Sequence, residues 1–543
     1  MEPTLVGHWK LAGDVKDHSG NENHAQNQGV DLSATGPDGQ VGMAAAFDGR
    51  SSLLSIGKSE SLQFGESDFT ISAIIHTEQN VDDPIGDIVG NFDADERRGF
   101  NLNVKRHSAA ASSLSNYRNL QFGIDNGTAT PEWTDCGRPG NARFVMSMAV
   151  HDGSLYAGTY EDGEGETGHV HRYAGDGKWE DCGPLDASNA VMSLATYQGK
   201  LYAGTGRLKG EGSALSNSPN TEIGGRVFRL EDGTWVDCGE LQGGERDFPE
   251  YDHDSVHSLE VYQGELYAIP IYTQGLFRYD GKSGWKDCGS HGRRAFAIGV
   301  YRDNLYTVEN GSGIYRFEGG EDWTRWSRLG DLPGAVQNYS MAVYRGKLHV
   351  GTWPEGTVFR LEENGEWTNT GRLGDELEVM GMSVHNGKLY AGTLPLAQVY
   401  RYDGDDNWTC TGQIDTTPDV KYRRAWSTSV YDGKLFFGTL PAGRVVSLET
   451  GRSATHDHEL ASGWKHVAAI RNGNVLELYV DGQRVARSSS FNPSDFDLSN
   501  DQPLTIGFGS HDYFHGKICD VRMYRRALKP EEVRELASAQ SIT

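Results

Sequence analysis

Two series of positions in this 543-residue chain hold the side chains best suited to chemistry. Both are measured back from a repeated Leu-aromatic phrase. Nine residues before it stand Met146, Met192, His257, Phe296, Tyr339, Met380 and Trp426. Eleven before it stand Phe144, Ala190, Ser255, Arg294, Gln337, Glu378 and Arg424. A His, a Tyr and a Trp thus replace Met or Phe in one series, and two Arg stand in the other. Imidazole titrates near neutrality, which makes His257 a candidate base. Tyr339 is the candidate acid, Arg294 and Arg424 suit a carboxylate and the charge that develops beside it, and Trp426 offers a stacking face. That set matches β-elimination on a uronate: one group takes the C5 proton and another protonates the leaving oxygen. Arg143, Tyr251, His253, Glu309 and Trp353, in nearby loops or strand ends, complete the candidate ligand contacts. The plainer reading is that His257 and Tyr339 cap packed strands in place of Met, and that the charges solvate loops.

These residues need a scaffold, and the sequence repeats to supply one. Trp followed four residues later by Gly occurs at Trp133, Trp179, Trp235, Trp285, Trp326, Trp367 and Trp408. The Leu-aromatic phrases begin at Leu155, Leu201, Leu266, Leu305, Leu348, Leu389 and Leu435, spaced 46, 65, 39, 43, 41 and 46 residues apart. That is the period of four-stranded propeller blades. Aromatic and β-branched runs punctuated by Gly, Asp and Asn are strand and turn chemistry. The first Trp phrase precedes every Leu phrase and the last Leu phrase has no Trp after it. PEWTDCG at 131–137 is therefore expected to supply the outer strand of the final blade and close a seven-bladed ring.

Composition narrows the partners. Fifty basic against 76 acidic residues give a net charge of −26, which opposes nucleic acid and anionic membranes. No apolar run is long enough for a membrane span. A cluster of Arg, His, Tyr and Trp against that acidic background suits an anionic poly- or oligosaccharide. The start, MEPTLVGHWKL, shows no signal peptide. Six cysteines at positions too dispersed to pair suggest a reducing, cytoplasmic compartment; an extracellular or periplasmic place would require a leader already removed.

Residues 1–128 and 455–543 lie outside the repeats at 129–454. AAFDGRSSLLSI, DFTISAIIHT, GWKHVAAIRNGNVLELYVDGQ, LTIGFG and FHGKICDVRMYRRALKPEEV resemble consecutive strands of the laminin-G-like, concanavalin-A-like jelly roll. The resemblance implies an all-β chain in which the propeller is inserted into one loop of a β-sandwich. It also implies a structural calcium site at Asp17, Asn21, His24 (through its carbonyl) and Asp520, and a glycan-binding loop at His511–Phe514. An Asx-turn at Asp17 and a strand salt bridge at Asp520 are the alternatives. In architecture and residue types the propeller is also similar to ulvan and rhamnose–glucuronate lyases. Three readings stay open: a polysaccharide lyase or glycoside hydrolase, a non-catalytic glycan-binding protein, and a protein-interaction scaffold.

Overall fold

The computed structural model describes residues 4–81, 85–108, 113–128, 130–210, 215–246, 254–319 and 326–538. Each repeat folds as an antiparallel meander. In the second, Ala190–Tyr197, Lys200–Gly206, Gly224–Glu231 and Thr234–Glu240 pair in order. The turn between the first two strands holds Gln198 and Gly199 at φ 49° and 68°. Both central residues are left-handed, as a tight two-residue hairpin with right-twisted strands requires.

The Trp phrase links neighbours. Trp179 Nε1 donates to the Cys136 carbonyl of the preceding unit at 2.8 Å, Trp235 to Cys182 at 3.0 Å and Trp285 to Cys238 at 3.1 Å. Trp408 does the same to Thr370 at 2.7 Å. All six cysteines are free.

Ring closure follows the expected route. Glu132–Asp135 pairs with Val445–Glu449 as the outer strand of the last unit. Near the axis Ser427 Oγ donates to the Val145 carbonyl at 2.8 Å. The number of free-standing blades differs from expectation: five four-stranded sheets stand alone, not seven. The first two units, 144–184 and 190–240, keep the four-stranded order but belong to a 15-stranded sheet. The cause is a strand from outside the repeats: Ser113–Asn126 pairs in parallel with the inner strand Ala190–Tyr197, and Tyr160 bridges to Ala190.

That strand is part of the sandwich, whose sheets draw on both ends of the chain. Phe69–Thr77 lies between Gly463–Asn472 and His515–Tyr524. In the opposing sheet Leu504–Ile506 sits between Leu53–Ile56 and Gly86–Asp93, and Arg452–His456 pairs with Ser113–Asn126. Trp9, Phe69, Phe100, Phe122, Val467 and Ile518 fill the core between them. Pro530–Ser538 forms a helix with Glu531 and Glu532 in its first turn, where carboxylates favour the dipole. No helix among the described residues is long and apolar enough to cross a membrane.

The hairpin Arg98–Ser108 and Ser113–Asn126 runs beyond the sandwich into the base of the propeller. There Arg106 forms a buried ion pair with Glu260 and donates to the Val261 carbonyl at 2.6 Å. Lys105 Nζ donates to the Val384 carbonyl and to Ser383 Oγ. Asn116 exchanges two hydrogen bonds with the Val430 backbone at 2.8 and 2.9 Å. The propeller's inner turns rest on the sandwich around this plug: Gly153 N donates to the Asp457 carbonyl, and Asn386 Nδ2 donates to the carbonyls of Ile124 and Thr450.

Candidate functional site

The opposite end of the axis, where the inner strands begin, carries the polar and aromatic exceptions. A local irregularity aims them. Each inner strand breaks register at the position nine residues before its Leu phrase. The shift falls between Val145 and Ser147, Val191 and Ser193, Val256 and Ser258, Ala295 and Ala297, Asn338 and Ser340, Val379 and Met382, and Ala425 and Thr428. Such a bulge leaves a residue unpaired and turns its side chain out of the regular alternation. Met146, Met192, His257, Phe296, Tyr339, Met380 and Trp426 therefore all sit at bulges.

Several of these meet on the axis as an apolar floor. His257 lies 4.7 Å from Phe296, Phe296 lies 4.7 Å from Tyr339 and 6.5 Å from Trp426, and Trp426 lies 5.3 Å from Phe144, all edge to face. Met146, Met192 and Met380 complete the cluster. Trp426 Nε1 donates to the Met146 carbonyl at 2.9 Å, tying the last repeat to the first.

His257 is part of this floor. It is 2% exposed, and neither ring nitrogen has a hydrogen-bond partner among the described residues. Burial, aided by the positive charge of Arg294, pushes its pKa down to about 3. An imidazole so hard to protonate is a weak base for carbon acids. Its place is that of a packed residue.

Above the floor a continuous polar relay crosses four repeats. Arg294 Nη2 donates to Asn310 Oδ1 at 2.6 Å, and Gln337 Nε2 donates to the same oxygen at 3.1 Å. The Tyr339 hydroxyl lies against Gln337 Oε1 and 3.4 Å from Glu378 Oε1. Arg424 Nε stands 3.7 Å from Glu378 Oε2. Burial raises the Glu378 carboxyl above its ordinary range, against the opposing pull of Arg424. Burial and the neighbouring Glu378 also raise the Tyr339 phenol. Glu378 Oε2 and Arg424 Nη1 have no hydrogen-bond partner among the described residues. The first two repeats contribute Phe144 and Ala190 at the equivalent positions, so one side of the mouth is polar and the other apolar. Ile223, Val336 and Leu396 are 62%, 53% and 38% exposed in loops at this same end.

The structure thus brings together Arg294, Tyr339, Arg424 and Trp426, with His257 beneath them. Asn310, Gln337 and Glu378 join the relay; their signal in the sequence was the eleven-residue series and the break after the repeated Leu phrase. Glu309 is turned away, accepting from Gly313 N at 2.9 Å and the Tyr315 hydroxyl at 3.1 Å. Arg143 is half-exposed at the rim, 3.7 Å from Asp162. Trp353 lies opposite Gln337 in register, and its carbonyl accepts from Val336 N at 2.8 Å. Tyr251 and His253 lie outside the described residues.

Of the calcium ligands expected in the sandwich, the two carboxylates already accept protein donors. The Asp17 carboxylate accepts from His8 N, Ser19 N, Ser19 Oγ and Asn23 N at 2.8–3.0 Å. His24 Nδ1 accepts from Asp17 N at 3.1 Å, and Asn21 Nδ2 donates to Ser19 Oγ and the Leu5 carbonyl. Asp520 Oδ1 accepts from His8 Nε2 at 2.7 Å and Arg522 Nε at 2.9 Å. Calcium needs six to eight open oxygens, and this arrangement of N–H and O–H donors around the carboxylates does not fit it. His511–Phe514, read as a glycan loop, instead docks the propeller. His511 N and Asp512 N donate to Asp87 Oδ2, and the His511 carbonyl accepts from Gly346 N.

Comparison with known families supports the concanavalin-A-like part of the fold. The concanavalin A-like lectin/glucanases superfamily matches residues 403–534, less than half of the chain. The match opens inside the sixth repeat and ends in the C-terminal helix. No curated protein matches. Among solved structures, virginiamycin B lyase from Staphylococcus aureus is 12% identical, covering 59% of this chain and 99% of its own, with a TM-score of 0.43. The WD40 β-propeller domain of Doa1 is 13% identical over 59% of this chain and 97% of its own, at 0.40. A gluconolactonase from Xanthomonas campestris is 14% identical over 63% and 98%, at 0.33. At these values no property of those proteins transfers to this chain, and the lyase resemblance drawn from the sequence gains no support.

Proposed function

We propose that the propeller mouth binds an oligosaccharide bearing a carboxylate and does not cleave it through His257. The observation that carries this reading is the relay Arg294–Asn310–Gln337–Tyr339–Glu378–Arg424 laid over an aromatic floor. Within it lie atoms of Glu378 and Arg424 that have no hydrogen-bond partner among the described residues, and apolar side chains stand exposed at the rim. A sugar ring has the same two-sided character, hydroxyl edges and an apolar C–H face, and aromatic rings with bidentate Arg are the groups that recognise it. The concanavalin-A-like match agrees with carbohydrate recognition at the level of fold class only.

The test is calorimetric titration with uronate-containing oligosaccharides and with their carboxyl-reduced counterparts. Binding that requires the carboxylate and weakens at least tenfold in Arg424→Ala is the expected result. Ultraviolet absorbance should show no unsaturated uronide from ulvan, alginate, pectate or rhamnose–glucuronate glycans. A rise lost in His257→Ala would restore the elimination mechanism. A second site is suggested by its lining: a cleft of about 520 Å³ at the seam with the sandwich sets Arg345 and Arg360 beside Asp403, Tyr402 and Tyr513. Glycan binding abolished by Arg345→Ala and untouched by Arg424→Ala would move the site there.

A further inference from the structure

A second cluster lies on the outer edge of the first repeat, away from the relay. His169 and His171 alternate along the strand His169–Gly175 and so face the same side. Asp181 stands opposite His171 in the neighbouring strand. The two rings are stacked, 5.8 Å apart and 19° from parallel. One nitrogen of each ring and one Asp181 oxygen lie within 4.8 Å of one another. His169 Nδ1 is 2.8 Å from Asp181 Oδ1, which Gly183 N orients from 2.7 Å.

His171 is the exception that calls for a cause. The same position across from the second strand is Phe228, Phe277, Tyr315, Phe359, Tyr400 or Val446 in the other six repeats. Here an imidazole replaces that aromatic or aliphatic side chain at 4% exposure, and its Nε2 has no hydrogen-bond partner among the described residues. Burying a polar atom without a partner is costly. That nitrogen faces a small space beside Gly140 and Glu161. A Cβ on Gly140 would fall 2.7 Å from His171 Nε2 and 3.3 Å from Glu161 Oε1. Glu161 is itself buried and braced by Thr159 Oγ1 at 3.1 Å.

We propose that His169, His171 and Asp181, with Glu161 beside them, bind one divalent transition-metal ion, for which Zn2+ is the best-matched probe. Two imidazoles and a carboxylate, with a second carboxylate or a water completing four ligands, are the donors zinc takes. The ion would fasten the two outer strands of the first repeat to the loop that carries Glu161.

The experiment uses the full chain, stripped by chelator and dialysed against Zn2+, with bound metal measured by mass spectrometry and Tm by calorimetry. One Zn2+ per chain and a raised Tm are expected, because an ion that binds only the folded state stabilises it. His171→Phe restores the residue type of the other repeats, so it should fold as well as the parent and bind no ion at this site. Glu161→Gln should weaken binding by about 10- to 100-fold. His458→Ala, in the separate His456/His458 pair, should bind like the parent. Co2+ in place of Zn2+ should give the intense visible bands of four-coordination in the parent and not in His171→Phe. A parent that binds no ion, or a His171→Phe variant that binds as the parent does, would overturn the site.

Discussion

The two ends of the propeller axis handle buried charge in opposite ways. At the base, Arg106 and Glu260 are 3% and 0% exposed and face each other directly, because a hairpin of the sandwich brings the cation to the anion. At the mouth, Glu378 and Arg424 stand 3.7 Å apart with an oxygen and a nitrogen left unmatched. Among the described residues nothing from the sandwich pairs with them. A charge whose partner the chain supplies serves the fold; charges left to one another under an open face are what the proposed ligand would meet. The same barrel of inner strands is thus a filled socket at one end and an open polar face at the other.

The base should break hardest. Arg106→Ala leaves the Glu260 carboxylate buried without its cation, and removing one partner of a buried pair costs about 3–5 kcal/mol. Urea unfolding should show that loss, and the double replacement Arg106→Met with Glu260→Leu should recover most of it. Lys105 adds a pH signature. Burial pushes its ammonium down to about 7, well below the usual lysine value near 10.4. Between those values the unfolded chain binds the extra proton, so stability rises with pH across the window, and below about 7 the penalty is fully present. Lys105→Met should flatten that slope and stabilise the protein below pH 7 by on the order of a few kcal/mol. An unchanged slope would show that the ammonium is not held out of water.

The unevenness of the two ends also explains what could be read beforehand. Turn pairs, Trp phrases and the outer strand from 131–137 are local patterns repeated many times, so the propeller and its closure were legible in them. Exceptions within an aligned repeat exposed Tyr339, Arg294, Arg424 and Trp426, because a departure from a periodic background is visible without neighbours. The hairpin carrying Lys105 and Arg106 has no repeat to depart from, and its reach into the propeller depends on contacts 154 and more residues away. Hence the two merged blades went unseen. His257 shows the complementary limit: its place in the series was legible, but burial, which decides whether an imidazole can act, is a property of packing. The calcium reading of Asp17 and Asp520 meets a similar limit, since only the folded arrangement shows how many N–H groups each already accepts.

The mouth should give way more gently. Tyr339→Phe removes one hydroxyl shared between Gln337 and Glu378, a loss of about 1 kcal/mol in stability. Carboxylate-glycan affinity should fall about tenfold, because the relay is cut in the middle. A stability loss as large as that of Arg106→Ala would mean that the relay, too, is structural scaffolding.

The smallest effect is the sharpest test, because it carries a sign. Glu378 competes with any ligand carboxylate for Arg424. Burial raises its folded-state pKa above the ordinary value, so between the two the folded chain holds the proton more tightly and stability declines as pH rises through that window. Glu378→Gln removes the decline and should shift Tm at neutral pH only slightly. It also releases Arg424 from a partner 3.7 Å away, a coupling of ~1 kcal/mol for neighbouring groups in one network. Affinity for uronate-containing glycans should then rise about fivefold, the equivalent of that energy, while affinity for their carboxyl-reduced forms stays level. Arg424→Ala should move the first quantity the other way. A mouth that served only to hold strands together would show neither change, and a mouth that bound neutral sugar alone would show no difference between the two glycan forms.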